Sequence, residues 1–302
     1  MDFLSKPLQK NGYLLRLLPL HGLDVLRHEL HQLQADARLS SYQASLEKSL
    51  SRLSLPKVAF PIRSILFIGI PHPAYAKLSF FHHGENRLVL SPLIPDYSAA
   101  DATVAQCFAA TSYHHAPAKS LPLKALAVHS GMAVYGKNNL TFTKEYGSFL
   151  SYTAYVSDVP PGEDIWYPPT LSPVCTTCAK CAVACPTGAI RPDVFLVDAA
   201  TCLSNQNELP GLMSPSIPAH AHHAAYDCML CQLNCPLNNR LLSSAIGPIH
   251  FSQAETTALL RYQDGDVLPP ETISKLSSLQ LLDWLPVLPR NLTLALARYA
   301  NA

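Results

Sequence analysis

Charge is scarce in this chain. Asp, Glu, Lys and Arg make up 14% of its 302 residues, against about a quarter in an ordinary globular domain. They nearly cancel, leaving a net charge of +1, so no global field draws the protein toward nucleic acid or an anionic membrane. Glycine is sparse too, with 12 residues against 26 prolines. Irregular connections and short, abruptly stopped helices are therefore expected. The roughly 20 uninterrupted apolar residues that span a bilayer are missing. Even the most apolar early stretch, Tyr13 to Leu26, is interrupted by Arg16, His21 and Asp24. The opening Met1-Asp2-Phe3-Leu4-Ser5-Lys6 lacks the charged start and apolar run of a signal peptide. Internal repeats and low-complexity tracts are absent as well. We expect a soluble, cytoplasmic protein with no membrane partner.

What the chain does have is apolar bulk, 48% of its residues, enough for a sizeable core in one large domain or two modest ones. Residues 1–58 are predicted to be helical. Leu14, Leu15 and Leu18, then Leu23, Leu26, Leu30 and Leu33, recur at helical spacing, with Pro19 and Gly22 between the sets. Ser40 to Leu55 is a further amphipathic stretch. Arg63 to Pro71 is a short, β-rich apolar run bounded by proline, which predicts a buried strand. Ala99 to His114 and Leu121 to Ser130 predict helices, the second stopped at Gly131. Asn139 to Phe142 and Ser148 to Val156 predict strands. The alternation makes 59–157 an α+β domain. Five prolines between Asp158 and Pro173 mark a linker over 158–173. A cysteine-rich module follows over 174–238, and a helical tail over 239–302 is expected to pack back on the core.

Eight of the nine cysteines lie between Cys175 and Cys235. With no secretion signal ahead of them, clustered cysteines point to metal ligands rather than disulfides. The first group, Cys175, Cys178, Cys181 and Cys185 followed by Pro186, has the C-x2-C-x2-C-x3-C-P spacing of bacterial ferredoxins. There, three thiolates wrap one cube of iron and sulfur and the fourth serves the other cube. The second group is Cys202, then Cys228, Cys231 and Cys235 before Pro236. The swap rule predicts one 4Fe-4S cluster on Cys175, Cys178, Cys181 and Cys235. A second falls on Cys185, Cys202, Cys228 and Cys231. Zinc is the competing metal, since C-x2-C pairs also build tetrahedral thiolate sites; the triple spacing and the Cys-Pro at both ends favour iron–sulfur. Cys107 stands apart and reads as a small buried hydrophobe. His220, His222 and His223 read as a polar loop rather than a further metal site.

Outside the cysteines a second block stands out. It comprises Ala116-Pro117, the run Ala125 to Leu140 containing Tyr135-Gly136-Lys137-Asn138, and Glu145-Tyr146-Gly147-Ser148. This block, the order of the cysteine groups and the tail Pro289-Arg290-Asn291-Leu292 resemble the epoxyqueuosine reductases, a superfamily whose relatives include the reductive dehalogenases. The likeness runs over roughly residues 60–295. It implies a cobalamin-binding-like N-terminal α+β domain followed by the two-cluster, ferredoxin-like module. It also implies a base-off cobalamin with Tyr135, Gly136, Lys137 and Asn138 beside it, their amides and one cation near the corrin side chains or tail phosphate. The family's Asp-x-Ala-Pro segment, whose aspartate is the proton donor, corresponds here to His114-His115-Ala116-Pro117. That places His114 at the donor position, where an imidazole can also deliver a proton. The alternative is that His114 is a surface or packing residue. Neighbouring Tyr113 could also donate, but core packing is its expected role. The family's Gly-Arg-Asp-Tyr-His element is reduced to Pro95-Asp96-Tyr97-Ser98.

Residues 236–302 balance five basic side chains (Arg240, Arg261, Lys275, Arg290, Arg298) against five acidic ones (Glu255, Asp264, Asp266, Glu271, Asp283). A neutral tail predicts little phosphate-driven affinity, so nucleic acid is not an expected partner. The leading expectation is a cobalamin-dependent reductase, fed by a flavodoxin- or ferredoxin-type donor and acting on a small molecule or partner protein. An electron-transfer protein without corrinoid is the second, and an epoxyqueuosine-tRNA reductase the third.

Overall fold

A computed structural model describes residues 2–50, 53–162 and 165–298, the side chains of 46–50 excepted. The chain opens with α1 (Asp2–Lys10), β1 (Leu14–Pro19), α2 (Gly22–Gln34), α3 (Ser41–Leu50) and β2 (Ser64–Pro71). The hairpin β3 (Ala76–His82) and β4 (Glu85–Ser91) follows. Then come α4 (Tyr97–Ala109), β5 (His115–Pro117), α5 (Leu123–His129), the short β6 (Val134–Tyr135) and β7 (Thr141–Phe142), and β8 (Leu150–Ser157). The cysteine-rich part holds only short helices, α6 (Lys180–Ala184), α7 (Leu203–Glu208) and α8 (Leu230–Leu233). The last stretch is β9 (Ile246–Phe251), α9 (Gln253–Arg261), α10 (Pro270–Ser278) and α11 (Leu288–Ala297).

Two compact units result: Met1–His72 with Pro95–Cys178, and Pro73–Ile94 with Ala179–Ala302. In the first, an antiparallel sheet runs in the order β1-β2-β8-β5. Strand β2 is apolar at nearly every position because both its faces are covered. Ile65 and Phe67 point into a core with Leu23 and Leu26 of α2 and Leu126 and Ala127 of α5. Leu66, Ile68 and Ile70 point the other way, to Leu4 and Leu8 of α1 and Val104 and Phe108 of α4. The alternation of side chains along a strand thus builds a three-layer unit from one hydrophobic run. In the second unit, β3 pairs antiparallel with β4 and parallel with β9, and Leu78, Phe80, Val89 and Phe251 meet Leu259, Leu276, Leu288 and Leu292 of the closing helices.

Four expectations need correction. Leu14, Leu15 and Leu18 lie in an edge strand: six residues between Gly12 and Pro19 are too few for a helix, and pairing with β2 satisfies their backbone. Residues 73–94, expected within the 59–157 domain, belong to the second unit. The tail is not helical throughout, since β9 joins the hairpin as a parallel strand. Residues 166–170 of the 158–173 segment do not hang free between domains. Tyr167 N–H donates to His129 O at 2.8 Å, Trp166 stacks on His129 at 4.6 Å, and Thr170 O accepts from Tyr135 N–H at 2.8 Å. Gly22 and Gly131 make room for this strap, because a Cβ there would lie 2.3 Å from the Trp166 ring and 2.7 Å from the Tyr167 ring respectively. Residues 51–52 of the Ser40–Leu55 stretch lie outside the described residues.

Candidate iron–sulfur site

Each cysteine motif folds into one short helix ended by a Cys-Pro step. Cys181 sits in α6 and Cys231 in α8, and the two helices pack together. Cys185 and Cys235 both leave in extended backbone, φ −71°, ψ 114° and φ −80°, ψ 124°, as the residue before a proline must. Cys175 lies in the turn Pro173–Thr176, and Cys202 stands just ahead of α7.

Three of the four cysteines assigned to the second cluster share one electrostatic neighbourhood. Burial pushes the Cys228 thiol up to about 12; the Leu230 amide opposes this, while Asp227, Cys202 and Cys185 add to it. Cys202 is raised by burial as well, against amides from Asn205 and Ser204, with Asp227 and Cys185 adding to the rise. Cys185 goes the other way. Burial raises it, yet the Thr187 amide and hydroxyl and the Ile190 and Ala189 amides together hold it below the ordinary thiol range. Its Sγ lies 3.6 Å from Thr187 Oγ1. Such a pocket suits thiolates that carry cationic iron: amides stabilise the sulfur charge, and the metal supplies the positive charge the burial otherwise lacks. Among the described residues, no three His, Cys, Asp or Glu side chains are grouped to hold one metal ion.

The Tyr135–Asn138 turn is engaged with its own surroundings. Tyr135 is strapped to Thr170 and Ser172 through its backbone. Gly136 N–H donates to Leu140 O at 2.8 Å, and a Cβ on Gly136 would lie 2.5 Å from the Phe142 ring. Lys137 Nζ donates to Cys178 O at 3.1 Å and Thr176 O at 3.5 Å, so this cation meets the first cysteine loop. Asn138 is buried; its Oδ1 accepts from Leu140 N–H, while its Nδ2 has no hydrogen-bond partner. One buried donor is thus left without an acceptor.

His114 stands at the end of the β5–β8 ladder. Its backbone N–H donates to Asp158 Oδ1 at 2.7 Å, and its ring Nδ1 lies 2.8 Å from Asp158 Oδ2. Phe60 stacks on the ring at 5.4 Å. Tyr113 packs flat on Phe3 yet stays partly exposed. Cys107 is buried in α4, beside Phe108 in that core. The histidine stretch differs from expectation. His220 is exposed, but His222 and His223 are buried, and His223 bridges Ala221 O and Cys228 O at 2.6 Å each. It fastens the cysteine loop instead of forming a mobile one.

A family model described as a 4Fe-4S double cluster binding domain matches residues 174–238. An epoxyqueuosine reductase of Lactococcus garvieae is 34% identical over 122 residues, 39% of this chain and 32% of that protein. One from Gloeobacter violaceus is 29% identical over 203 residues, 63% and 60% of the two chains. Over these stretches the chain is similar to the epoxyqueuosine reductases. The match spans about a third of the length of the first of these curated relatives. Solved epoxyqueuosine reductases share the fold at 18% identity. The Bacillus subtilis enzyme, with its catalytic aspartate loop swung out of the active site, superposes with a TM-score of 0.65 over 99% of this chain and 82% of that one. An epoxyqueuosine reductase with a tRNA-Tyr epoxyqueuosine-modified stem loop gives 0.68 over the same shares.

That last structure bears on nucleic acid only as a property of the neighbour. An epoxyqueuosine reductase of this fold holds a tRNA stem loop, and the net charge of a tail does not report how charge is placed locally on a binding face. Sequence reasoning also missed Asp158, Asp227 and Thr187. Asp158 is 44 residues from His114 and carries no motif signal; the strand pairing His115↔Ser157 alone brings it there.

Proposed function

We propose that this chain is an iron–sulfur reductase that removes the epoxide oxygen of an epoxyqueuosine-type nucleoside, a tRNA-borne one included. The balance is an epoxide plus two electrons and two protons giving an alkene and water. Electrons enter from a low-potential flavodoxin- or ferredoxin-type donor. Cys175, Cys178, Cys181 and Cys235 hold one 4Fe-4S cluster, and Cys185, Cys202, Cys228 and Cys231 the other, each cluster carrying one electron at a time. Tyr135, Gly136, Lys137 and Asn138 would hold a corrinoid, which when bound would supply a low-potential centre able to deliver two electrons to carbon. Toward it, this chain offers the unpaired Asn138 Nδ2, which suits the amide carbonyls around a corrin ring. His114 gives the proton to the departing oxygen.

The observation that carries the reading is the fold shared over nearly the whole chain with epoxyqueuosine reductases, together with the two-cluster domain at 174–238. Expression in a strain lacking its own epoxyqueuosine reductase tests it: queuosine returns to tRNA. A well-expressed, iron-replete protein that leaves epoxyqueuosine untouched would overturn it. A second reading, an electron carrier without corrinoid, is favoured by Lys137 being engaged at Cys178 O. The readings part on anaerobic incubation with micromolar hydroxocobalamin, where the reductase retains a base-off corrinoid and the carrier retains none.

A further inference from the structure

Asp158 and His114 form a pair more specific than an ordinary surface contact. One carboxylate serves both ends of one residue, taking the His114 backbone N–H on Oδ1 at 2.7 Å and facing ring Nδ1 with Oδ2 at 2.8 Å. The ladder fixes the geometry further. Ser157 Oγ donates to His114 O at 2.7 Å, and Phe60 lies flat on the imidazole. The exposures are unequal: 15% for the carboxylate side chain and 62% for the histidine. The carboxylate is tucked in while the rest of the ring stays open. Burial pushes Asp158 up, but the two His114 contacts outweigh it and hold the carboxyl below its ordinary range.

We infer that Asp158 is a positioning residue, which takes the Nδ1–H of His114 and leaves Nε2 as the nitrogen that hands a proton to the substrate oxygen. The inference rests on the reductive reading above, and it accounts for how a histidine replaces an aspartate as donor. A carboxylate has one acidic site, whereas imidazole has two nitrogens and needs a partner to choose between them. The imidazolium gives its Nε2 proton as the epoxide C–O bond breaks, with the electrons coming from the flavodoxin- or ferredoxin-type donor. The Nδ1–H tautomer remains, and water restores the proton at the open Nε2.

The test uses the iron-replete protein in its oxidised state. Long-range 15N spectra of the neutral imidazole, assigned by comparison with His114→Gln, report which nitrogen carries hydrogen. Nδ1–H is expected in the wild type and a shift toward Nε2–H in Asp158→Ala; Asp158→Asn keeps an acceptor for the backbone N–H and guards against local unfolding. An unchanged tautomer in both variants overturns the orienting role. The second readout is turnover with a chemical reductant. His114→Gln is expected to lose about 100-fold in kcat and Asp158→Asn about tenfold with KM within about twofold. The double variant should be no worse than His114→Gln alone. A tautomer shift without loss of kcat reduces Asp158 to a structural contact and overturns the inference. A wild type that binds both clusters but turns nothing over defeats the reductive reading instead, while the spectra still decide the pairing.

Discussion

Single atoms decide much at the Gly136 turn. The residue is glycine because a Cβ would sit 2.5 Å from the Phe142 ring and 2.7 Å from Asn138 Oδ1. Gly136→Ala must push one of these aside, and overpacking of this kind costs about 1–3 kcal/mol. A lower urea midpoint is expected, together with loosening of Lys137 from Cys178 O. Glu255 is a second residue whose environment makes a measurable claim. Burial raises its carboxyl, but Lys275 Nζ at 2.7 and 2.8 Å and the Ser252 N–H at 2.8 Å more than offset that and leave it below the ordinary value of 4.5. A depressed folded value means the folded state binds the proton less readily than the unfolded chain. The stabilisation is therefore full above about pH 4.5 and is lost as pH falls through the folded value. Glu255→Gln should be less stable than the wild type near pH 7, and the gap in urea midpoints should narrow as pH falls below the ordinary carboxyl value of 4.5. A gap that stays constant over that range would exclude the ion pair as its source.

At the scale of elements, the tail motif Pro289-Arg290-Asn291-Leu292 gains a physical meaning. The Arg290 guanidinium donates to Leu209 O at 2.7 Å, Gly211 O at 2.8 Å and Gln206 O at 2.9 Å, collecting the carbonyls left at the end of α7. Asn291 Nδ2 adds Asn207 O and Ala225 O at 2.9 and 3.0 Å. Helix α7 begins just after Cys202, so this fork fixes the segment carrying the isolated cysteine. Arg290→Lys keeps the charge but lacks a planar fork able to reach three carbonyls. Iron should fall from about eight toward about four per chain, read by iron and sulfide analysis after anaerobic desalting. Elements also show what the sequence could say and what it could not. Strand β2 was readable because a run apolar on both faces has one simple explanation. Strand β1 was not: its leucines fit two periods, and only the partner strand chooses. Strand β9 was invisible locally, since its pairing with β3 joins residues about 170 positions apart, whereas the β3–β4 hairpin pairs near neighbours. The cysteine ligands announce themselves by spacing, but Asp158 beside His114 does not, because strand register has no local signature.

For the molecule as a whole, cofactor and fold depend on each other most in the cysteine-rich module. Its short helices suit a stretch whose order comes from metal–thiolate bonds as much as from a hydrophobic core. In the second unit that trade is visible at half-buried Cys202 and buried Cys228: two thiols pushed up by burial, each raised further by Asp227, gain stability once iron supplies positive charge. Cluster and fold should therefore be lost together. Cys178→Ser replaces a thiolate by a poor ligand for iron and should cost one cluster, about four of about eight irons, with one of two redox steps vanishing from a voltammogram and unfolding beginning at lower urea. Cys107→Ser is the control. Its sulfur is buried in α4 among Leu66, Val104 and Phe108, so this variant should keep its full iron content. It should still lose some stability, because a hydroxyl replaces an apolar atom in a packed core. Equal iron loss in both variants would mean that general destabilisation, not ligation, governs cluster retention. Zinc in place of iron, with no redox step, would refute the cluster assignment itself. The pair of variants separates these outcomes because Cys107 and Cys178 differ in ligation but share the same first unit.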